Sequence, residues 1–193
     1  MEFKESNWTF AFSSEWRVIR FDTHPHFIAL SGSGFKAIDF LAVHPEKGLL
    51  LLEVKYYRKR HRTSRPYPEL EEISDILEQK FSDTLKAIHI IERYLERKGT
   101  YRFVHRWLQH PMGRRLFSNW SFWNAVIRTA KDPNRVLRWA FIEYDQLSEQ
   151  VKMNWRSDVA ERLRERTVSP PENIQLLGDP LQENQQLFSL QKQ

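Results

Sequence analysis

The sequence predicts one α/β domain in which strands and helices follow one another along the chain. Two short apolar runs, 34–43 and 49–57, are joined by turn-forming residues and indicate a β-hairpin with a loop of about five residues. Apolar residues at steps of three and four indicate a long amphipathic helix over 69–98. An apolar strand at 135–144 and a basic helix at 147–166 continue the alternation of strands and helices.

The N-terminal segments give weaker signals. Residues 3–12 have the composition of a strand, and Ser13-Ser14-Glu15 has the composition of a helix cap. The mixed periodicity of 16–21 leaves helix and strand open. A turn, a short apolar run and a glycine-rich bend then follow at 22–26, 27–30 and 31–34.

The C-terminal half contains an aromatic-rich segment and a polar end. Residues 101–131 are predicted to form two shorter helices broken near 111–113, and we interpret them as a helical insertion. A last strand is predicted at 173–177. The glutamine-rich tail, 179–193, is expected to be loosely held, which leaves 1–178 as a single domain.

Composition narrows the class of protein. A chain of 193 residues with 40% hydrophobic and 28% charged residues is typical of one globular domain. It has no apolar run of membrane-spanning length. It also has no cysteine, and this excludes a disulfide framework, a thiolate zinc site and a cysteine nucleophile. The N-terminus lacks an apolar signal core, so we expect a cytoplasmic protein with no membrane partner. The net charge of +5 permits a nucleic-acid partner.

Two carboxylates and a lysine interrupt the apolar hairpin strands. A hairpin folded symmetrically about Glu46 places Asp39 opposite Glu53, with Lys55 on the same face as Glu53. Like charges directly opposite each other in a sheet repel, and a divalent cation between them would reverse the sign of that interaction. Oxygen ligands favour a hard cation such as magnesium or manganese.

The spacing Glu-x-Lys occurs four times, so the spacing alone carries little information. The copies at 78–80 and 96–98 lie on a polar helix surface. Only the copy at 53–55 combines an apolar strand with an acid across the hairpin. The alternative for that copy is a strand end that emerges into water.

An aspartate on one strand and Glu-x-Lys on the next, in an αβββαβ order of elements, resembles the PD-(D/E)xK nuclease superfamily. The matching stretch covers roughly 30–57, and Ile38 stands where the motif has proline. The resemblance implies a restriction-endonuclease-like fold, with an αβββαβ core and a mixed central sheet flanked by helices.

The resemblance also implies the roles of the site residues. Asp39 and Glu53 would bind one or two Mg²⁺ ions, for which Mn²⁺ would substitute, and the backbone carbonyl of Val54 would be a further ligand. Lys55 would orient or deprotonate the attacking water and stabilise charge on the phosphate.

Members of the superfamily often add an acid from an N-terminal helix. Glu15 is the first candidate for that catalytic role, and Asp22 and Glu5 are rivals. The alternative for Glu15 is a simple helix cap.

Contacts with nucleic acid are expected from a basic loop after the motif strand and from the helix that follows it. Some members of the superfamily place a glutamine or a lysine on that helix. The alternative is a solvated surface in both places. The expected contact residues are Arg58, Lys59, Arg60 and Arg62 in the loop, Gln79 and Lys80 on the helix, and Lys36 in the first run of the hairpin.

The implied activity is Mg²⁺-dependent hydrolysis of DNA phosphodiester bonds, by an endonuclease rather than an exonuclease, within a larger system. The alternatives are a catalytically weak nucleic-acid-binding or assembly subunit that keeps the fold, and an RNA nuclease. The sequence shows no separate recognition domain, so a homodimer or a partner protein would supply any specificity.

Overall fold

The computed structural model describes residues 2–5, 8–57, 67–100, 118–145, 147–167, 170–177 and 188–192. The strands within them are β1 (Glu2–Glu5), β2 (Trp8–Phe12), β3 (Arg17–Arg20), β4 (Phe40–His44), β5 (Gly48–Tyr57), β6 (Val136–Tyr144), β7 (Ile174–Leu177) and β8 (Phe188–Lys192). The helices are α1 (Pro25–Ser31), α2 (Leu70–Arg97), α3 (Ser118–Ala130) and α4 (Glu149–Arg166). Short 3-10 helices at Pro133–Arg135 and Pro171–Asn173 precede β6 and β7.

A five-stranded sheet with the order β3-β4-β5-β6-β7 forms the centre of the described structure. Strand β4 runs antiparallel to its neighbours β3 and β5, whereas β6 and β7 run parallel to β5. The predicted α/β class with a mixed sheet is therefore confirmed. None of the described helices combines the length and the apolar character needed to cross a membrane.

Different elements pack on the two faces of this sheet. Helices α2, α3 and α4 pack on the face that carries Leu49 and Leu51. A three-stranded antiparallel sheet, β1-β2-β8, lies on the other face, where apolar residues of β1 and β2 meet Leu50 and Leu52. Strand β5 is apolar at successive positions because both of its faces are buried. In the described residues, a second sheet thus takes a face for which helices had been expected.

The predicted hairpin forms with the predicted register. Val43 pairs with Leu49 and Leu41 with Leu51. The loop is three residues long rather than about five, because His44 still pairs with Gly48. The paired ladder ends at Phe40, so 34–39 is irregular and the expected start of the strand at 34 is wrong.

Gly48 is required by the close approach of two strand ends. Its φ of +106° lies in a region that L side chains rarely adopt, and a Cβ there would collide with the carbonyl oxygen of Arg135. We expect Gly48→Ala to lower the free energy of unfolding by at least about 2 kcal/mol. Urea denaturation followed by tryptophan fluorescence measures this. Gly32→Ala is the control, because its φ is −61° and no atom lies within 4 Å of the added Cβ. Equal losses in both variants would contradict the prediction.

Three sequence predictions need correction. Residues 17–20 form a strand, so Ser13-Ser14-Glu15 lies in a turn and caps no helix. The short helix α1 follows β3 instead of preceding the sheet. The tail is not loose throughout, because 188–192 pairs along β2 as strand β8. The alternation of Phe188 and Leu190 with polar residues is the sequence pattern of such a strand.

The predicted helical insertion is described only in its second half. Residues 118–130 form α3, as expected for a helix in this region. Phe122, Trp123 and Val126 of α3 are buried in the main core against the sheet. Residues 101–117 lie outside the described residues, so the insertion as a whole stays a prediction.

Candidate metal centre

Glu53 lies at the centre of the site. It follows Leu49 and Leu51 on the helix-facing side of β5, and its side chain is 0% exposed. Its Oε1 accepts hydrogen bonds from two lysines, with Lys80 Nζ at 2.5 Å and Lys55 Nζ at 2.9 Å. The alternative that Glu53 emerges into water is therefore wrong. Lys55, by contrast, keeps 30% of its side chain exposed.

The second oxygen of Glu53 has no such partner. Glu53 Oε2 is buried and accepts no hydrogen bond from any described residue. Burial of a carboxylate oxygen without a partner is costly and is rare in folded proteins. A bound cation would relieve this cost.

Asp39 reaches the same part of β5 from the neighbouring chain segment. It lies one residue before β4, and its backbone carbonyl accepts from Phe21 N at 2.9 Å. Its side-chain Oδ2 accepts from Val54 N at 2.6 Å. The predicted juxtaposition of Asp39 and Glu53 thus arises through a side-chain contact just beyond the end of the paired ladder.

The two carboxylates are coupled electrostatically. Burial first, and the charge of Glu53 second, raise the pKa of Asp39 to about 7. The ammonium of Lys80, the N–H of Val54 and the ammonium of Lys55 offset only part of this rise. Asp39 therefore exchanges a proton near neutral pH, in response to the charge beside it.

Lys55 is a cation at neutral pH. Burial by itself would lower the pKa of Lys55, but the charge and hydrogen bond of Glu53, together with Asp39 and Tyr57, more than offset burial, and the pKa is raised above its usual value. A lysine in this state donates hydrogen bonds and cannot accept a proton from water. Of the roles that the resemblance implies for Lys55, orienting the water and stabilising charge on the phosphate fit this state, and deprotonating the water does not.

Of the residues expected to contact nucleic acid, the structure brings Lys80 into the site. Lys80 contacts Glu53 directly, so the expectation of a surface position is wrong. Gln79 and Lys36 are exposed. Arg58, Lys59, Arg60 and Arg62 lie outside the described residues.

Glu15 is not brought to the other acids. Its Oε2 lies 3.3 Å from Nε2 of His44, which is at the opposite end of β4 from Asp39. Five residues of strand separate these ends by about 17 Å. Of its rivals, Glu5 pairs with Arg20 at 2.9 Å, and Asp22 is exposed. Among the described residues, no group of three or more acids and histidines is arranged to hold a metal.

Lys80 was expected to contact nucleic acid, and helical periodicity could have shown that it lies instead on the buried side of α2. It lies three residues after Leu77 and one before Phe81, on the apolar side of α2. Thr84, four residues further along, is also buried on this side. A lysine and a threonine on the buried side of a helix are the signal that sequence reasoning overlooked.

No protein-family model matches the chain, and neither a curated protein nor a solved structure does. Its function must therefore be inferred from the site itself. The donor set of carboxylate and carbonyl oxygens suits a hard divalent cation. Two observations fit such an ion: the unpartnered Oε2 of Glu53, and an Asp39 that ionises readily once a positive charge arrives.

Proposed function

We propose that the chain is a Mg²⁺-dependent nuclease of the restriction-endonuclease-like fold that hydrolyses DNA phosphodiester bonds, with Mn²⁺ able to substitute. The observation that carries this proposal is the pair of a half-buried Asp39 and a fully buried Glu53, in which one oxygen of Glu53 accepts no hydrogen bond from any described residue and the other contacts two lysines. Strands β3, β4 and β5, then α2, then a parallel β6 follow one another along the chain, with α1 inserted after β3 and α3 after α2, and this order is compatible with the core that the resemblance implies. The helix of that core ahead of the sheet has no counterpart in the described residues.

Asp39 and Glu53 would hold the cation. The N–H and C=O of one strand residue point to the same edge of the strand. Because the N–H of Val54 bonds to Asp39, its carbonyl faces the same side and would be the third ligand from the chain. A bound divalent cation stabilises negative charge on the phosphate and lowers the pKa of water.

Lys80 and Lys55 differ in exposure and would have different roles. Lys80 keeps only 16% of its side chain exposed and holds the carboxylate of Glu53 in place. Lys55 is more accessible and is charged, so it would donate to the phosphate oxygens as negative charge develops on them. Neither role requires a lysine to take up a proton.

Cleavage assays test the proposal directly. The purified chain is incubated with linear, nicked, branched and closed circular DNA, and with RNA of the same sequence, in Mg²⁺, Mn²⁺ or a chelator. We expect cleavage of DNA that requires either metal, with the closed circle cut by an endonuclease. Cleavage of RNA alone would instead support an RNA nuclease.

A second function is favoured by one observation. Both lysines contact the same oxygen of Glu53, so the counter-charge that a metal would supply is already present. Such an ion-pair cluster suits a nucleic-acid-binding or assembly subunit that keeps the fold without catalysis. Binding of DNA without cleavage in either metal would support this function and refute the nuclease.

A further inference from the structure

We infer that α2 sets the position of Asp39 through Thr84 and Asp83, which makes them positioning residues for the metal-binding carboxylates. This inference rests on the proposed function, because it concerns the same pair of acids. Neither side chain belongs to the motif of the two hairpin strands. Both act through the backbone that delivers Asp39 to the site.

The backbone of 34–38, just before Asp39, pairs with none of the described strands. The ladder between β4 and β5 ends at Phe40, and 34–39 is irregular. Gly34, with φ of +82°, turns the chain out of α1 and into this segment. The N–H groups of the segment therefore need partners from elsewhere.

Helix α2 supplies two of those partners. Thr84 Oγ1 accepts from Ile38 N at 3.2 Å, and both residues are fully buried. Asp83 Oδ2 accepts from Lys36 N at 3.3 Å. Ile38 directly precedes Asp39, so its bond to Thr84 fixes the peptide between Ala37 and Ile38, one peptide before the backbone that carries the Asp39 side chain.

The same turn of α2 also holds the other acid. Lys80 contacts Glu53 and lies four residues before Thr84. Four residues of helix rise by about 6 Å, so one rigid turn links Asp39 and Glu53. The separation of the two acids is thereby set by α2 as well as by the hairpin.

The expected effect is that of a group supporting a metal ligand. Loss of such supporting groups typically lowers metal affinity or activity by about 10-fold to 100-fold. A misplacement of about 1 Å at a reacting centre has a comparable effect on rate. We therefore expect Thr84→Val, which keeps the volume but loses the acceptor, to weaken Mn²⁺ binding about 10-fold and to lower kcat more than it raises KM.

The experiment measures two independent quantities. Binding of Mn²⁺ alone, added as the chloride at pH 8.5, is followed by electron paramagnetic resonance without nucleic acid. Cleavage kinetics are measured on the same preparations. Thr84→Ser restores the acceptor and should lie within about threefold of the wild type for both. Thr129→Val is the matched control, since Thr129 is a buried helical threonine on α3.

A second pair of variants keeps the test decisive if Thr84→Val does not fold. Asp83→Asn removes the charge but keeps an oxygen acceptor for Lys36 N, whereas Asp83→Ala removes both. We expect Mn²⁺ binding near that of the wild type for the asparagine and about 10-fold weaker binding for the alanine. Equal binding by these two variants would overturn the role of Asp83.

The outcomes separate this inference from the proposed function. If the wild type binds no Mn²⁺ and cleaves nothing, the proposed function itself is wrong. If the wild type binds and cleaves, and Thr84→Val behaves like Thr129→Val, only the positioning role is overturned. Weaker Mn²⁺ binding in Thr84→Val, with recovery in Thr84→Ser, supports it.

Discussion

Replacing Glu53 by glutamine is expected to abolish metal-dependent cleavage, with the rate falling by at least about 10³-fold. Glutamine keeps the volume of the side chain and one oxygen acceptor for Lys55 and Lys80. It removes the negative charge that would hold the cation. The loss should therefore appear in kcat and in Mn²⁺ affinity, while circular dichroism shows the fold unchanged.

The chain offers a close control for this variant. Glu143 is also a nearly buried glutamate, lies on the neighbouring strand β6, and pairs with Lys152 at 2.5 Å. Glu143→Gln perturbs a buried ion pair of the same kind outside the proposed site. We expect it to change cleavage by no more than a few-fold. Wild-type cleavage by Glu53→Gln, or equal losses in the two variants, would refute the assignment of Glu53 as a metal ligand.

The hairpin could be predicted because its pattern is local. Successive side chains alternate between the faces of a strand, and a turn that ends at Gly48 fixes which residues pair. These two facts placed Asp39 and Glu53 on one face without any knowledge of the remaining fold. The exact contact, from Val54 N to Asp39, could not be predicted because it forms where the ladder has ended.

The supporting residues depend on tertiary packing, which local patterns do not specify. Lys80 reaches Glu53 only because α2 crosses β5 at that height. Glu15 was misplaced because 16–21 is too short for periodicity to separate helix from strand. Strand β8 pairs with β2 across almost the whole chain, so its partner could not be inferred from nearby residues.

The stability of the metal-free protein is expected to fall as pH rises from about 4 to about 7, because of Asp39. Its pKa is about 7 in the folded protein against a usual value of 3.8, so the folded state holds a proton that the unfolded state has lost. An aspartate in a salt bridge has the opposite effect, because its lowered pKa makes stability rise with pH over its titration range. Above neutral pH the full cost of the buried charge is roughly 4 kcal/mol, from about three pKa units.

Asp39→Asn removes this cost, because asparagine keeps an oxygen for Val54 N and carries no charge. Relative to the wild type, the variant should gain roughly 2–3 kcal/mol of unfolding free energy between pH 5 and pH 8.5. Urea denaturation in a chelator at the two pH values measures the gain. A gain that is the same at both values would show that the pKa of Asp39 is not raised.

Magnesium should narrow the difference in stability between the wild type and Asp39→Asn. A ligand that binds only the folded state stabilises it, by about 2.7 kcal/mol at a concentration of 100 times Kd. The wild type at pH 8.5 should therefore be stabilised by Mg²⁺, whereas Asp39→Asn should respond weakly because a ligand is missing. The raised pKa of Asp39 and the unpartnered oxygen of Glu53 are costs of the metal-free state that a bound cation would remove together. If Mg²⁺ stabilises both proteins to the same extent, the cation binds elsewhere. The raised pKa of Asp39 and the unpartnered oxygen of Glu53 would then be unrelated to metal binding.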